Sequence, residues 1–345
     1  MPEPRPRRPT INDVAERAGV SKMAVSFALN NRPGVSEETR RRVLDVADEL
    51  GWRPSSVARS LSERRSGAVG LVLAKSVDAL EGDTFYLRLI AGMEAELSVA
   101  STALSLLVAR DAPHELEIYR TLASERRADA VLIADLRLED PRLELVRELG
   151  LPAVILGDLV DGFNCLWSDD DGATDQVLDH LKALGHRHVA RISEAPDRRY
   201  AVRRDEAFRT GIAARGMTGV IARGSLTADI QEVATRSLLG DDPRPTAMVF
   251  DSELLAVGAM EVLLAAGVDV PREISIVAWD GSTLSRVMHP TLTNVRRDIV
   301  ALGRAAGKAL LAASGGDRAD LTSPQTLVDV ADPRLVVGGS TAAPR

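Results

Sequence analysis

Residues 10–30, TINDVAERAGVSKMAVSFALN, constrain the chain more than any other segment, because they pattern as two short helices around a tight turn. Thr10 and Asp13 have the spacing of a capping box, with Asp where Glu or Gln is usual. Val14, Ala15 and Ala18 give the first helix an apolar stripe, Gly19 lets the chain turn, and Ser21 is placed to cap the second helix. On that helix Ala24, Val25 and Ala28 point inward, and Lys22, Met23, Ser26 and Phe27 point outward. A third helix is predicted from Ser36 to Leu50. Glu37 and Glu38 favour its positive end, Val43, Leu44, Ala47 and Leu50 form its buried stripe, and Gly51 is its C-cap. Three short helices of this spacing make a helix-turn-helix module, whose second helix enters the DNA major groove with its N-terminal residues on base edges. Arg40, Arg41 and Arg42 point in different directions, and a solvated surface suits some of them as well as a phosphate contact does.

Charge is spread to match. Residues 1–66 carry 13 Lys and Arg against 9 Asp and Glu, a net +4, while the remainder carries 30 against 41, a net −11. A basic module on an acidic body suits a protein that holds DNA by one end. The single cysteine, Cys165, excludes an internal disulfide and fits the cytosol. The polar opening MPEPRPRRP has no apolar core of a signal peptide, and no run approaches the length of a membrane helix. A cytoplasmic protein with no membrane partner is therefore expected.

Beyond Gly67, short apolar strands alternate with amphipathic helices. Strands are predicted at 69–74, 103–109, 130–134, 153–157, 188–192, 220–222, 247–250 and 275–278. Helices are predicted at 85–99, 116–126, 172–184, 203–214, 230–239 and 254–266. The alternation implies α/β construction with parallel sheets covered on both faces. The strand count exceeds one tidy sheet, so two lobes are expected, with a ligand cleft at the carboxyl ends of their strands.

TINDVAERAGVS, VSEETRRRVLDVADELGWRPSSVARSL, HLKALGHRHVARI, ISIVAWD and HPTLTNV together resemble the lactose-repressor/galactose-repressor (LacI/GalR) family of bacterial transcription regulators over about nine-tenths of the chain. The resemblance implies a small all-α headpiece on a two-lobed core like that of periplasmic sugar-binding proteins. The expected division is an arm at 1–9, the helix-turn-helix domain at 10–53, a hinge helix and linker at 54–66, the core at 67–338 and a tail at 339–345. Lobe one would hold about 67–165 and 297–313, and lobe two about 166–294 and 321–338.

The family pattern implies DNA contacts from Lys22, Met23, Ser26, Phe27 and Asn30 in the headpiece, and from Ser55, Ala58 and Leu61 in the hinge. Leu61 takes the place of a leucine that wedges into the minor groove, where unstacking costs a few kcal/mol and the bent DNA returns further contacts. Phe27 falls where a guanine-reading Arg or His is common. It either packs on a thymine methyl or base edge, or rests partly against the protein. The same resemblance places Phe85, Tyr86, Arg198, Arg204, Ser252 and Asp280 at the effector. A structural ion-pair network is the competing account of Arg198, Arg204 and Asp280, while Arg199 and Arg203 read as solvated. Leu226, Ser252 and Gly157 depart from residues frequent in the family, so a nucleoside-type ligand stands beside a sugar.

Catalytic signatures are scarce. His186 and His188 diverge on a strand with no third ligand near, so no metal is expected, and Walker and Rossmann glycine loops are absent. No cofactor is implied. No leucine heptads follow Pro324, so a homodimer on a pseudo-palindromic operator is the expected assembly. The sequence thus reads as a DNA-binding repressor, not an enzyme, with a small-molecule effector, most naturally a saccharide. A sugar-acting enzyme with an appended DNA module and a regulator answering to a protein corepressor are the rival readings.

Overall fold

A computed structural model describes residues 9–29, 33–52, 65–74, 84–193, 196–223, 228–315, 326–328 and 333–345. In the N-terminal unit, α1 (Ile11–Ala18), α2 (Lys22–Leu29) and α3 (Glu37–Glu49) close around Val14, Val25 and Val43. Asp13 caps α1 by accepting from the Thr10 N–H at 2.6 Å and the Thr10 hydroxyl at 2.7 Å. Gly19 turns the chain at φ +69°, a left-handed conformation that costs glycine nothing sterically. Ser21 accepts from the Ala24 N–H and Ser36 from the Thr39 N–H, capping α2 and α3. Leu44, expected in the buried stripe of α3, is exposed, and Val46 takes its place. Arg40 is no free surface cation. It donates to the Ala28 carbonyl at 3.2 Å and pairs with Glu37, tying α3 to the end of α2.

Among its described residues the second unit, Gly67–Arg345, contains two sheets of six strands. The first runs β2 (Ala103–Val108), β1 (Ala68–Leu73), β3 (Ala130–Ile133), β4 (Ala153–Leu156), β5 (Asn164–Trp167), β11 (Thr326–Val328), all parallel. The second runs β7 (Thr218–Arg223), β6 (His188–Ser193), β8 (Ala247–Phe250), β9 (Ser275–Trp279), β10 (Thr293–Arg296), β12 (Arg334–Val336), parallel except for β12. The two orders match strand for strand, so the lobes are the same construction used twice. Continuous apolar runs such as AVLI in β3 and AMVF in β8 are buried along their whole length, as strands covered on both faces require.

Helices supply that cover. In lobe one, α4 (Thr84–Leu97) and α12 (Ile299–Gly315) pack one face, and α5 (Ala112–Ser124) and α6 (Pro141–Glu148) the other. In lobe two, α7 (Asp170–Leu184) and α8 (Arg199–Ala214) oppose α9 (Ala228–Leu239) and α10 (Glu253–Ala265), with the short α11 (Thr283–Val287) beside the cleft. The α4–α12 crossing is close because it is made at glycines. A Cβ on Gly303 would overlap the Leu89 carbonyl, and one on Gly92 would overlap the Val300 carbonyl.

Among the described elements the chain passes between the lobes from β5 to α7, from β10 to α12 and from β11 to β12. Two expected boundaries therefore change. β5 extends lobe one to Trp167, and β11 pairs with β5, so among the described residues of the 321–338 segment β11 belongs to lobe one and those from Pro333 on to lobe two. Three-residue strands carry too little pattern to name their sheet. Residues 339–345, expected as a tail, lie along lobe two. There Ser340 is buried, donates to the Ile276 carbonyl at 2.6 Å and accepts from the Thr293 N–H at 2.8 Å.

Candidate functional site

The headpiece presents α2 much as its sequence requires. Lys22 is exposed and Met23 is 67% exposed at the N-terminal end of the helix, where base edges are reached. Ser26 and Phe27 are half-buried rather than fully outward. The Phe27 ring lies against Gly34, where an added Cβ would stand 3.1 Å from it, so the turn before α3 packs on the ring. Asn30, Ser55, Ala58 and Leu61 lie outside the described residues.

In the core unit the carboxyl ends of β3, β4 and β5 face those of β8, β9 and β10 across a cleft of about 1190 Å³, open solvent included. Charges organise its floor. Asp170, on the first turn of α7, is buried and accepts from Arg204 Nε at 2.6 Å, with Arg203 at 3.6 Å and Arg297 at 3.8 Å. Arg204 also donates through Nη1 to Asp251 at 3.3 Å, and Arg191 holds the same carboxylate at 2.6 Å from behind. The Arg204 guanidinium is 4.8 Å from the centroid of the Trp279 ring and 5.3 Å from that of Tyr200, a cation–π setting that steadies it. Arg297 grips Asp280 through two bonds of 2.6 and 2.7 Å. Asp280 itself stands at φ +63°, a strained conformation for a residue with a Cβ and one that occurs at ligand clamps.

Burial alone would raise the carboxyl of Asp170, but the positive charges of Arg204, Arg297 and Arg203 hold it at about 2. Asp251 is likewise pulled below the ordinary carboxylate range against its burial, by Arg191 and Arg204. Asp158 goes the other way: burial raises it despite Arg203 and Arg199.

Of the residues expected at the effector, Phe85, Tyr86, Arg204, Ser252 and Asp280 line the cleft. Their settings differ from one another. Tyr86 is buried and donates its hydroxyl to Asp135 at 2.6 Å, so it supports the wall and does not offer a stacking face. Phe85 packs edge-on against Tyr86 at 5.2 Å and lies beneath Arg297. Ser252 caps α10 by accepting from the Leu255 N–H. Arg198 is not among the lining residues; its Nη1 donates to the Asp135 carbonyl at 2.8 Å.

Arg199 and Arg203, read as solvated, are not. Arg199 donates to the Arg137 carbonyl at 3.1 Å, and Arg203 to the Gly157 carbonyl at 3.2 Å and to Asp158 at 3.3 Å. Backbone bonds from Leu138 to Asp197 and from Arg199 to Leu136 complete a seam between the start of α8 and the loop after β3. That loop is itself braced by the buried ions Glu115, Asp140 and Arg142, whose guanidinium donates to Glu115 at 2.9 Å and to the Asp135 carbonyl at 3.1 Å. Sequence reading missed the seam because its partners lie some sixty residues apart in the other lobe.

It also missed Trp167, Asp170, Asp251 and Arg297. Trp167 stands half-buried at the end of β5 on the cleft wall, where its position at a strand end was the available signal. Asp170 sits in an acidic run that reads as a helix start, and Asp169 does cap α7.

Residues 10–55 match the family model of bacterial regulatory proteins of the lacI family, and residues 178–341 match the periplasmic binding protein-like domain. The HTH-type transcriptional regulator CelR of Thermobifida fusca is 30% identical over 94% of this chain and 96% of its own. The chain belongs to the lacI family. MalR of Streptomyces coelicolor, another HTH-type transcriptional regulator, is 32% identical over 96% of both chains. Among solved structures, the CelR–cellobiose complex superposes with a TM-score of 0.73 at 29% identity, covering 96% of this chain and all (100%) of that one. The lac repressor dimer bound to operator and the anti-inducer ONPF gives 0.81 over 98% of this chain and 100% of that one, a likeness of fold at 23% identity. This lacI-family protein is thus a helix-turn-helix, DNA-binding transcription regulator, and the enzyme reading is set aside. Among its described residues no helix is long and apolar enough to cross a membrane.

Proposed function

We propose that the protein is a cytoplasmic, homodimeric repressor whose grip on a pseudo-palindromic operator is set by a saccharide in the interlobe cleft. The observation that carries the reading is the cleft wall, which is lined both by buried Arg–carboxylate pairs and by Trp167. Arg204 gives Nε and Nη1 to Asp170 and Asp251, leaving Nη2 for a ligand oxygen. Asp280 accepts from Arg297 and retains lone pairs for ligand hydroxyls. With Phe85, Ser252 and Trp167 these residues form the proposed effector site. CelR, whose solved complex contains cellobiose, supports the ligand class.

DNA contact is assigned to Lys22, Met23, Ser26, Phe27 and Asn30, and in the hinge to Ser55, Ala58 and Leu61. Exposed apolar side chains on the flanks of both lobes, Leu87 and Leu106 on one and Val233 and Leu264 on the other, suit a dimer face. Control follows from the two-state nature of the core. A ligand shifts the lobe equilibrium only by binding one arrangement better than the other, and the α8 seam is what each arrangement makes or breaks. Calorimetric titration of the full chain with cellobiose, maltose and a nucleoside panel tests this. Saturable sugar binding that is lost in Trp167→Ala is the expected result. Binding of nucleosides alone, or of none of these ligands, overturns the saccharide reading.

A further inference from the structure

We propose that the cleft takes an uncharged, polyhydroxylated effector and excludes ligands bearing a phosphate, sulfate or carboxylate group. The inference rests on the saccharide reading and narrows it.

Among the described residues, the cleft is lined by the carboxylates Asp135, Asp158, Asp170, Asp251, Glu253 and Asp280, and by the guanidinium groups of Arg203, Arg204 and Arg297. Acids outnumber bases two to one. Each guanidinium is also already engaged by the protein. Arg204 is held between Asp170 and Asp251, Arg297 is bidentate on Asp280, and Arg203 reaches Asp158 and Asp170. An anionic ligand would compete with a carboxylate for each of these arginines, and the donor left on Arg204, Nη2, belongs to a guanidinium whose charge Asp170 and Asp251 already balance. Asp170 and Asp251 are only 2% exposed, so drawing Arg204 away would leave two buried charges with weaker compensation, Asp170 with Arg203 and Arg297 at 3.6 and 3.8 Å and Asp251 with Arg191 at 2.6 Å. The remaining acids would repel the newcomer as well. A hydroxyl group meets neither obstacle. It donates to a paired carboxylate and accepts from a paired guanidinium without changing the local charge. Glu253 shows that chemistry within the protein: buried, it accepts from the hydroxyls of Ser282 and Ser285.

The test uses the full-length protein, with calorimetry and intrinsic tryptophan fluorescence as readouts. Probes are inorganic phosphate at constant ionic strength and matched pairs, cellobiose with cellobionate and maltose with its 6′-phosphate. No saturable phosphate response from the cleft is expected. Where the neutral member of a pair binds, its anionic partner is expected at least about 100-fold weaker. Asp280→Asn releases Arg297 and Asp158→Asn releases Arg203, and a gain of phosphate binding in either supports the proposal. Failure of both folded variants to gain it overturns the occupied-arginine argument. Phosphate or phosphosugar binding to the unaltered protein that disappears in Arg204→Gln or Arg297→Gln overturns the proposal outright. Binding that survives both of these variants and Arg203→Gln as well lies outside the cleft and leaves the exclusion upheld. If no neutral sugar binds while the phosphate results hold, the saccharide reading falls and the anion exclusion stands.

Discussion

Arg204→Met is expected to destabilise the core by about 3 kcal/mol, because it removes one partner from a buried ionic pair and leaves the other behind. The figure lies at the low end of the range for such losses. Asp170 keeps Arg203 at 3.6 Å and Arg297 at 3.8 Å, and Asp251 keeps Arg191 at 2.6 Å, so neither acid is wholly stranded. A second route gives a similar size. Asp170 moves from an ordinary 3.8 to about 2 in the fold, which corresponds to roughly 2 kcal/mol of linkage shared among its arginine partners. The sign is that of a depressed acid: this stability is present above pH 3.8 and lost as pH falls through about 2. Without Arg204 burial dominates, so the acid limb should begin at higher pH. Urea unfolding of the full chain, followed at pH 7 and at stepped lower pH, measures both effects. Arg204→Met/Asp170→Asn should recover part of the loss, since it removes the orphaned charge. A single mutant within about 0.5 kcal/mol of the parent, with an unmoved acid limb, would refute the reasoning, because surface charges behave that way.

Three further outcomes are expected. Arg199→Ala, which deletes the bonds to the Arg137 and Leu138 carbonyls, should cost about 1 kcal/mol or less yet change both effector affinity and the radius of gyration in solution scattering; if neither moves, the seam takes no part in the lobe equilibrium. Gly34→Ala should weaken the headpiece by about 1–2 kcal/mol and reduce DNA binding in a gel-shift assay, because φ is +115° there and the new Cβ would press on Phe27; parent-like stability would show that the turn relaxes freely. Burial pushes His186 below its ordinary 6.5, so the stability it protects should be full above that pH and should fall as pH drops below it; a urea midpoint as pH-independent in the parent as in His186→Gln between about pH 7.5 and 5 would contradict this.

Much of the architecture was legible because long apolar strands and amphipathic helices announce themselves. Residues 247–250 form a strand with the predicted bounds, and the headpiece follows from its caps and its glycine. What escaped was relational. Asn164–Trp167 and Thr293–Arg296 are strands whose polar residues break the apolar pattern, and they pair because neighbouring strands offer an edge. The cleft was legible in the same uneven way. Arg204 and Asp280 were found through motif position, yet nothing local to Arg204 reveals that Asp170 and Asp251 occupy it. Arg199 and Arg203 looked like surface charges because their partners belong to the other lobe. Phe27 could be read either way until Gly34 was seen beneath it.

The central claim is that cleft occupancy and DNA affinity are linked, and linkage has a direct test. Operator affinity should be measured with and without saturating sugar, and sugar affinity with and without saturating operator, at one fixed salt concentration. The account predicts the same factor in both directions, about 5-fold to 150-fold, abolished by Trp167→Ala. Sugar that binds the cleft while leaving operator affinity unchanged would contradict it.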